Sequence, residues 1–208
     1  MTRHQPPLPM LWLLSDERMG VPLARLAVEL PPGSGIVLRH DTLPDAERWR
    51  LLRRLKRIAA GRRLVVILAG TPARAQRWGA DGVHLRQHQV AQARAARRAN
   101  LLLTMPVHDA AEAGAARRAA ARAVFISPLH PTRSHPGAPA LGTAAWLGLA
   151  RRASSQAIAL GGMTPARARA LRLQSASSQI QPGWAAIDAW VEKAAQRRKR
   201  QKRNCVPT

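Results

Sequence analysis

Ala157-Ile-Ala-Leu-Gly-Gly-Met-Thr-Pro165 decides how the chain is to be read. Its apolar run predicts a strand and its glycine pair a tight turn. Thr-Pro predicts the first turn of a helix, where proline's missing amide costs nothing. Backbone N–H groups at such a turn, together with the helix start, form a ready phosphate site. Phe125-Ile-Ser-Pro-Leu-His-Pro-Thr-Arg-Ser-His-Pro-Gly-Ala-Pro-Ala-Leu-Gly142 begins in the same way, with a strand running into a loop. Prolines 128, 131, 136 and 139 fix φ and remove donors, which predicts a stiff loop. The hydroxyls of Thr132 and Ser134, with Arg133 and the imidazoles of His130 and His135, equip it as an anion-gripping lip. The two segments together point to a phosphorylated small molecule.

Outward from these segments, short apolar runs alternate with longer Ala/Arg/Leu stretches of helical period. The expected strands are Leu11–Leu14, Gly35–Leu38, Leu64–Leu68, Gly82–Leu85, Leu101–Met105, Ala123–Ile126, Ala157–Leu160 and Trp184–Ile187. Helices are expected near 21–30, 45–60, 72–79, 90–99, 109–121, 143–153, 165–173 and 188–200. Leu51, Leu52, Leu55 and Ile58 share one helical face, as on a helix packed against a sheet. Asp109 and Glu112 have the spacing of a capping box. This rhythm implies right-handed βαβ units and a parallel sheet, and eight units in 208 residues fit an α/β fold, a single (β/α)8 barrel. An open doubly wound sheet is disfavoured because no G-x-G-x-x-G follows any strand. In a barrel, ligands sit on the loops after the strands, and a phosphate sits where the loops after strands seven and eight meet. Gly161-Gly162 and Ile187-Asp188 are those positions.

Composition narrows the alternatives. The chain is long enough for one cored domain, expected over residues 1–194, with 195–208 a basic, disordered tail. A net charge of +23 raises a polyanion-binding reading. Arginines interleaved with alanines (Arg94-Ala-Ala-Arg-Arg98, Arg117-Arg-Ala-Ala-Ala-Arg122) instead describe solvated helix faces, so nucleic acid is not expected as the main partner. The single cysteine, Cys205, provides no disulfide framework and no thiolate metal site, which fits a cytoplasmic location. Met10-Leu-Trp-Leu-Leu14 is far too short for a membrane span or a signal-peptide core. Oligomeric state is left open, a homo-oligomer included.

The chain also resembles the thiamine phosphate synthase/TenI family of small (β/α)8 barrels over roughly residues 11–192. The resemblance rests on Gly35-Ile-Val-Leu-Arg39, Gly79-Ala-Asp-Gly-Val-His-Leu85, Ser127-Pro-Leu-His-Pro-Thr132 with Pro136-Gly-Ala-Pro-Ala-Leu-Gly142, Ala159-Leu-Gly-Gly-Met-Thr-Pro165 and Gly183-Trp-Ala-Ala-Ile187. It implies binding of thiazole phosphate or thiamine phosphate, with the phosphate on the amides of Gly161-Gly162 and Ile187-Asp188. It places Thr132 at the thiazole end and Ser134 at the diphosphate of the synthase substrate. Synthases of the family couple a pyrimidine methyl diphosphate to the thiazole phosphate with Mg²⁺. The metal carboxylates of that reaction fall on Gly70 and Gln89, and a lysine falls on Asp41, which is expected to repel diphosphate. No cofactor is therefore expected, and Mg²⁺ enters only if the synthase reaction is retained. The pattern is similar to the TenI branch, whose tautomerisation of a thiazole carboxylate phosphate needs an acid/base group and no metal. His130 or His135 is the candidate, imidazole titrating near neutral pH.

Arg39, at a strand end, is the candidate clamp for an anionic group. His84 lies inside a strand-like run and reads as a hydrogen-bonded core histidine. His108 either faces the site or caps the next helix, and Asp188 is expected to cap a helix rather than touch phosphate. Three readings remain: a synthase-like transferase or thiazole tautomerase, a non-catalytic thiamine-phosphate-binding barrel, and a polyanion-binding basic protein.

Overall fold

The computed structural model describes residues 8–132, 139–187, 189–192 and 195–196. Ser134, His135 and Asp188, and most of the basic tail, lie outside the described residues. Eight strands close into a parallel barrel in sequence order: β1 (Leu11–Leu14), β2 (Gly35–Leu38), β3 (Val65–Ala69), β4 (Gly82–His84), β5 (Leu102–Val107), β6 (Ala123–Ile126), β7 (Gln156–Ala159) and β8 (Gly183–Ala186). β8 pairs back onto β1, Trp12 opposite Ala185. Between the strands run α1 (Leu23–Glu29), α2 (Asp45–Arg62), α3 (Pro72–Trp78), α4 (Ala93–Arg98), α5 (Ala110–Arg118), α6 (Gly142–Ala153) and α7 (Pro165–Gln174). After β8, residues 189–192 and 195–196 are helical.

The strands read as continuous apolar runs because both faces are buried, as a parallel sheet under helices requires. Side chains alternate between two cores. Trp12, Val37, Ile67, Leu102, Phe125 and Ile158 fill the barrel interior, while Leu13, Ile36, Leu38, Val66, Val124 and Ile126 pack outward against the helices. Trp12 sets the interior's shape. It is fully buried, its Nε1 donates to the Pro9 carbonyl at 2.6 Å, and its ring edge meets Phe125 at 5.4 Å. Its register partner on β2 is Gly35, where a Cβ would fall 2.1 Å from the indole. Only glycine fits there.

The helices begin as the sequence predicts. Thr71 and Thr164 accept from the amides of Arg74 and Arg167, and Pro72 and Pro165 occupy the first turns. α2 carries Asp45 and Glu47 in its first turn, where the helix dipole favours them, and buries Leu52, Leu55 and Ala59. The 109–112 box differs from expectation. Asp109 accepts from the Glu112 amide at 2.8 Å, but Glu112 reaches back to the His108 amide at 2.7 Å, one residue earlier than a reciprocal box. Its Oε2 also holds His108 Nδ1 at 2.8 Å. His108 is thereby tied to the start of α5. A second difference is the 3₁₀ stretch Gln87–Gln92, which shortens the helix expected from residue 90 to Ala93–Arg98. No helix among the described residues is long and apolar enough to cross a membrane.

Candidate functional site

The C-terminal strand ends form the mouth, and its two sides are built differently. On the β6–β7 side the proline-rich loop is laid onto the glycine pair. Gly161 and Gly162 have φ of +94° and +59°, a region side chains rarely adopt. A Cβ on Gly161 would sit 2.7 Å from Pro128 Cα, and one on Gly162 would sit 2.6 Å from the Pro131 carbonyl oxygen. Two amides lock the layers, Leu129 donating to the Leu160 carbonyl at 2.9 Å and His130 to that of Gly161 at 3.2 Å. The loop's two ends are also joined, since Leu141 donates to the Pro128 carbonyl at 2.9 Å and Gly142 to that of Leu129 at 3.3 Å. Among the described residues, the Gly161 and Gly162 amides donate to no backbone carbonyl. Arg167, in the first turn of α7, donates to the Gly162 carbonyl at 2.5 Å.

His130 sits over this pair, its Cβ 3.1 Å from where a Gly162 Cβ would stand. Burial, and after it the Arg167 charge, pull its pKa below the ordinary imidazole value, so it is neutral at neutral pH. Thr132 is half-buried on the same loop, and Ile187 follows β8, the next stave of the barrel. Ser134, His135 and Asp188 cannot be placed, lying outside the described residues.

The β1–β5 side is a polar network. Ser15, fully buried after β1, accepts the Arg39 amide at 2.7 Å and lies 2.8 Å from His40 Nδ1. Arg39 is half-buried at the end of β2, and its charge bears on both Asp16 and His84. Asp16 is held down to about 2, chiefly by its hydrogen bonds to Arg18. His84 lies inside the barrel, with Nδ1 2.9 Å from Thr104 Oγ1 and its ring edge-on to Phe125 at 5.4 Å. Burial, helped by Arg39 and Arg86, pushes its pKa down to about 3. It is a neutral, hydrogen-bonded core histidine.

Asp41 corrects a sequence expectation. It does not face the mouth as a bare negative charge, because Arg48 pairs with its Oδ1 at 3.0 Å and Arg86 pairs with its Oδ2. Arg48 is 4% exposed, and its Nη2 also donates to the Ala69 carbonyl at 2.6 Å. Sequence reasoning passed over Ser15, Arg48 and Arg86. Ser15 and Arg86 could have been found by position, just beyond strand ends, whereas Arg48 is hidden among the arginines of α2.

A family model described as thiamine monophosphate synthase matches residues 22–180, well over half of the chain. The chain belongs to the thiamine monophosphate synthase family. Solved structures agree on the fold. The thiamine phosphate pyrophosphorylase of Pyrococcus furiosus superposes with a TM-score of 0.68 at 17% identity, over 91% of this chain and 96% of that one. FabK from Thermotoga maritima gives 0.70 at 13% identity, covering 88% and 59%. The YdjI aldolase of Escherichia coli K12 gives 0.59 at 10% identity, covering 94% and 90%. At such identities the likeness shows the barrel alone. No curated protein matches the sequence significantly.

Within the thiamine monophosphate synthase family, the Mg²⁺ implied by the synthase reaction can be tested against the donors present. Oxygen ligands, carboxylates above all, are what Mg²⁺ requires. The two positions carry Gly70 and Gln89, and Gln89 spends its Oε1 on the Arg86 amide at 3.0 Å. Among the described residues, no three His, Cys, Asp or Glu gather to hold a metal ion. Gly70, just after β3, and Gln89, in the 3₁₀ stretch after β4, do not fit the metal.

Proposed function

We propose that this barrel binds a thiazole phosphate, or thiamine phosphate, and acts as a thiazole tautomerase rather than as a Mg²⁺-dependent coupling enzyme. The observation that carries the reading is the Gly161–Gly162 pair, left-handed, pressed against the His130–Pro131 loop, with both amides free of backbone acceptors among the described residues. Two such amides at the start of α7 suit a phosphate dianion. Thr132, Ser134 and the Ile187–Asp188 amides complete the cradle in this reading, and Arg39 clamps an anionic group on the opposite rim.

Tautomerisation moves one proton. A base takes it from a ring carbon, and the same group in its acid form returns it at the other end of the conjugated system. His130, neutral above the glycine pair, is the group assigned, with His135 its alternate on the same loop. An imidazole whose pKa is lowered by burial stays a base in more acid solution than a free one, so turnover is expected to fall off at a lower pH than an ordinary histidine would set.

Calorimetry with thiazole phosphate, thiamine phosphate and a short DNA duplex at two salt concentrations tests the reading. Binding of the small phosphates, lost in Gly162→Asp, is expected. Binding of the duplex alone, with a steep salt slope, would favour a polyanion-binding protein and defeat the proposal. Deuterium exchange into the thiazole then separates a tautomerase from a non-catalytic barrel, and diphosphate release with both synthase substrates would reinstate coupling. A cytoplasmic location is part of this proposal.

A further inference from the structure

We infer that the β2–β4 rim is a metal-free anion subsite, in which the exposed guanidinium of Arg86, held by Asp41 and through it by the buried Arg48, does the electrostatic work a divalent cation would otherwise do. Arg48 rises from α2 to the ends of β2 and β3, where Nη2 lies 2.6 Å from the Ala69 carbonyl and 3.4 Å from that of Leu38. The same nitrogen pairs with Asp41 Oδ1 at 3.0 Å, and the other Asp41 oxygen pairs with Arg86 Nη2. Burial lowers the Arg48 pKa and Asp41 opposes the shift, so the side chain remains a fixed cation. Two guanidiniums and one carboxylate leave a surplus of one positive charge, with the half-buried Arg39 adding another nearby.

A cation is unwelcome in that field. The backbone reinforces the point, because Gly70 takes φ of +137° with its amide on the His84 carbonyl at 3.3 Å. That conformation suits glycine and strains any carboxylate-bearing side chain, so the metal position is rebuilt rather than merely vacated. Arg86, 57% exposed and steadied by Asp41, presents its remaining donors to solvent at the rim. The ligand class is a compact anion, a phosphate or carboxylate group taken without its metal. Asp41 and Arg48 are positioning residues for Arg86.

Inorganic pyrophosphate is the probe, titrated calorimetrically into the full chain at moderate salt, with Mg²⁺ or with EDTA. The inference shares the barrel mouth with the tautomerase reading, so the titrations are repeated in Gly162→Asp, where the glycine cradle is closed. Equal or tighter binding in EDTA is expected, because Mg²⁺ masks the charge the guanidiniums grip. Arg86→Gln should weaken it roughly five- to tenfold. Arg54→Gln, on the exposed face of α2, should change it less than about twofold, reporting diffuse charge only. Arg86 is exposed, so its variant reports binding with the fold left intact. Tenfold tightening by Mg²⁺, an Arg86→Gln effect no larger than that of Arg54→Gln, or no pyrophosphate binding at all would each overturn the inference. Loss of binding in Gly162→Asp alone would move the anion to the glycine pair, sparing the tautomerase reading while sinking this one.

Discussion

His84 should make this barrel acid-labile already between pH 7 and pH 5. Its pKa is about 3 in the fold and 6.5 when unfolded, so between those values the unfolded chain binds a proton that the folded chain refuses. Stability from this residue is fully present above pH 6.5 and drains away as pH falls toward 3. From pH 7 to pH 5 the loss works out at about 2 kcal/mol, from the ratio of protonated to neutral imidazole in the two states. For a chain of this size that is a fall in Tm of roughly 4–8 °C. Asp16, lowered from 3.8 to about 2, begins to lose its contribution only below pH 4, outside this interval. The assay is urea unfolding of the wild type and of His84→Asn, which keeps a polar partner for Thr104. The variant is less stable at pH 7, and the difference between the two proteins should shrink by about 2 kcal/mol at pH 5. A difference that stays flat within about 0.5 kcal/mol would show that the imidazole is not held neutral inside the barrel.

Other outcomes follow from single contacts. Gly35→Ala drives a methyl into the Trp12 ring and should cost about 2–3 kcal/mol, measured by chemical denaturation. Gly161→Ala meets Pro128 at 2.7 Å with φ of +94°, and should cost about 1–3 kcal/mol together with thiazole phosphate affinity, read by melting and calorimetry. Asp81→Ala removes both the Lys56 pair and the acceptor for the Val66 amide at 2.8 Å, so a loss of about 1–3 kcal/mol is expected in urea.

The barrel was legible because its parallel strands are buried on both faces and so appear as unbroken apolar runs between helical stretches. Each observed strand falls within about two residues of its expected place, and family membership is established. Gln87–Gln92 is not legible in the sequence, because two turns of 3₁₀ helix leave no periodic trace before Ala93. The glycine pair and the proline loop could be named from residue type, their contact being a matter of adjacent staves. The opposite rim was harder. In a chain with 34 lysines and arginines, nothing in residue type marks Arg48 as the buried one among the described residues, and nothing local to Asp41 reveals its two partners. Long-range ion pairs have no local pattern.

The joined ends of the proline-rich loop have a consequence for how this mouth can diversify. With Leu141 and Gly142 fastened to Pro128 and Leu129, what lies between is a cassette clipped at its base to the scaffold. Lengthening such a cassette adds closure entropy only slowly, about 0.6 kcal/mol per doubling. Grafting another relative's segment between the clips is therefore a route to new substrate preference with the staves left untouched.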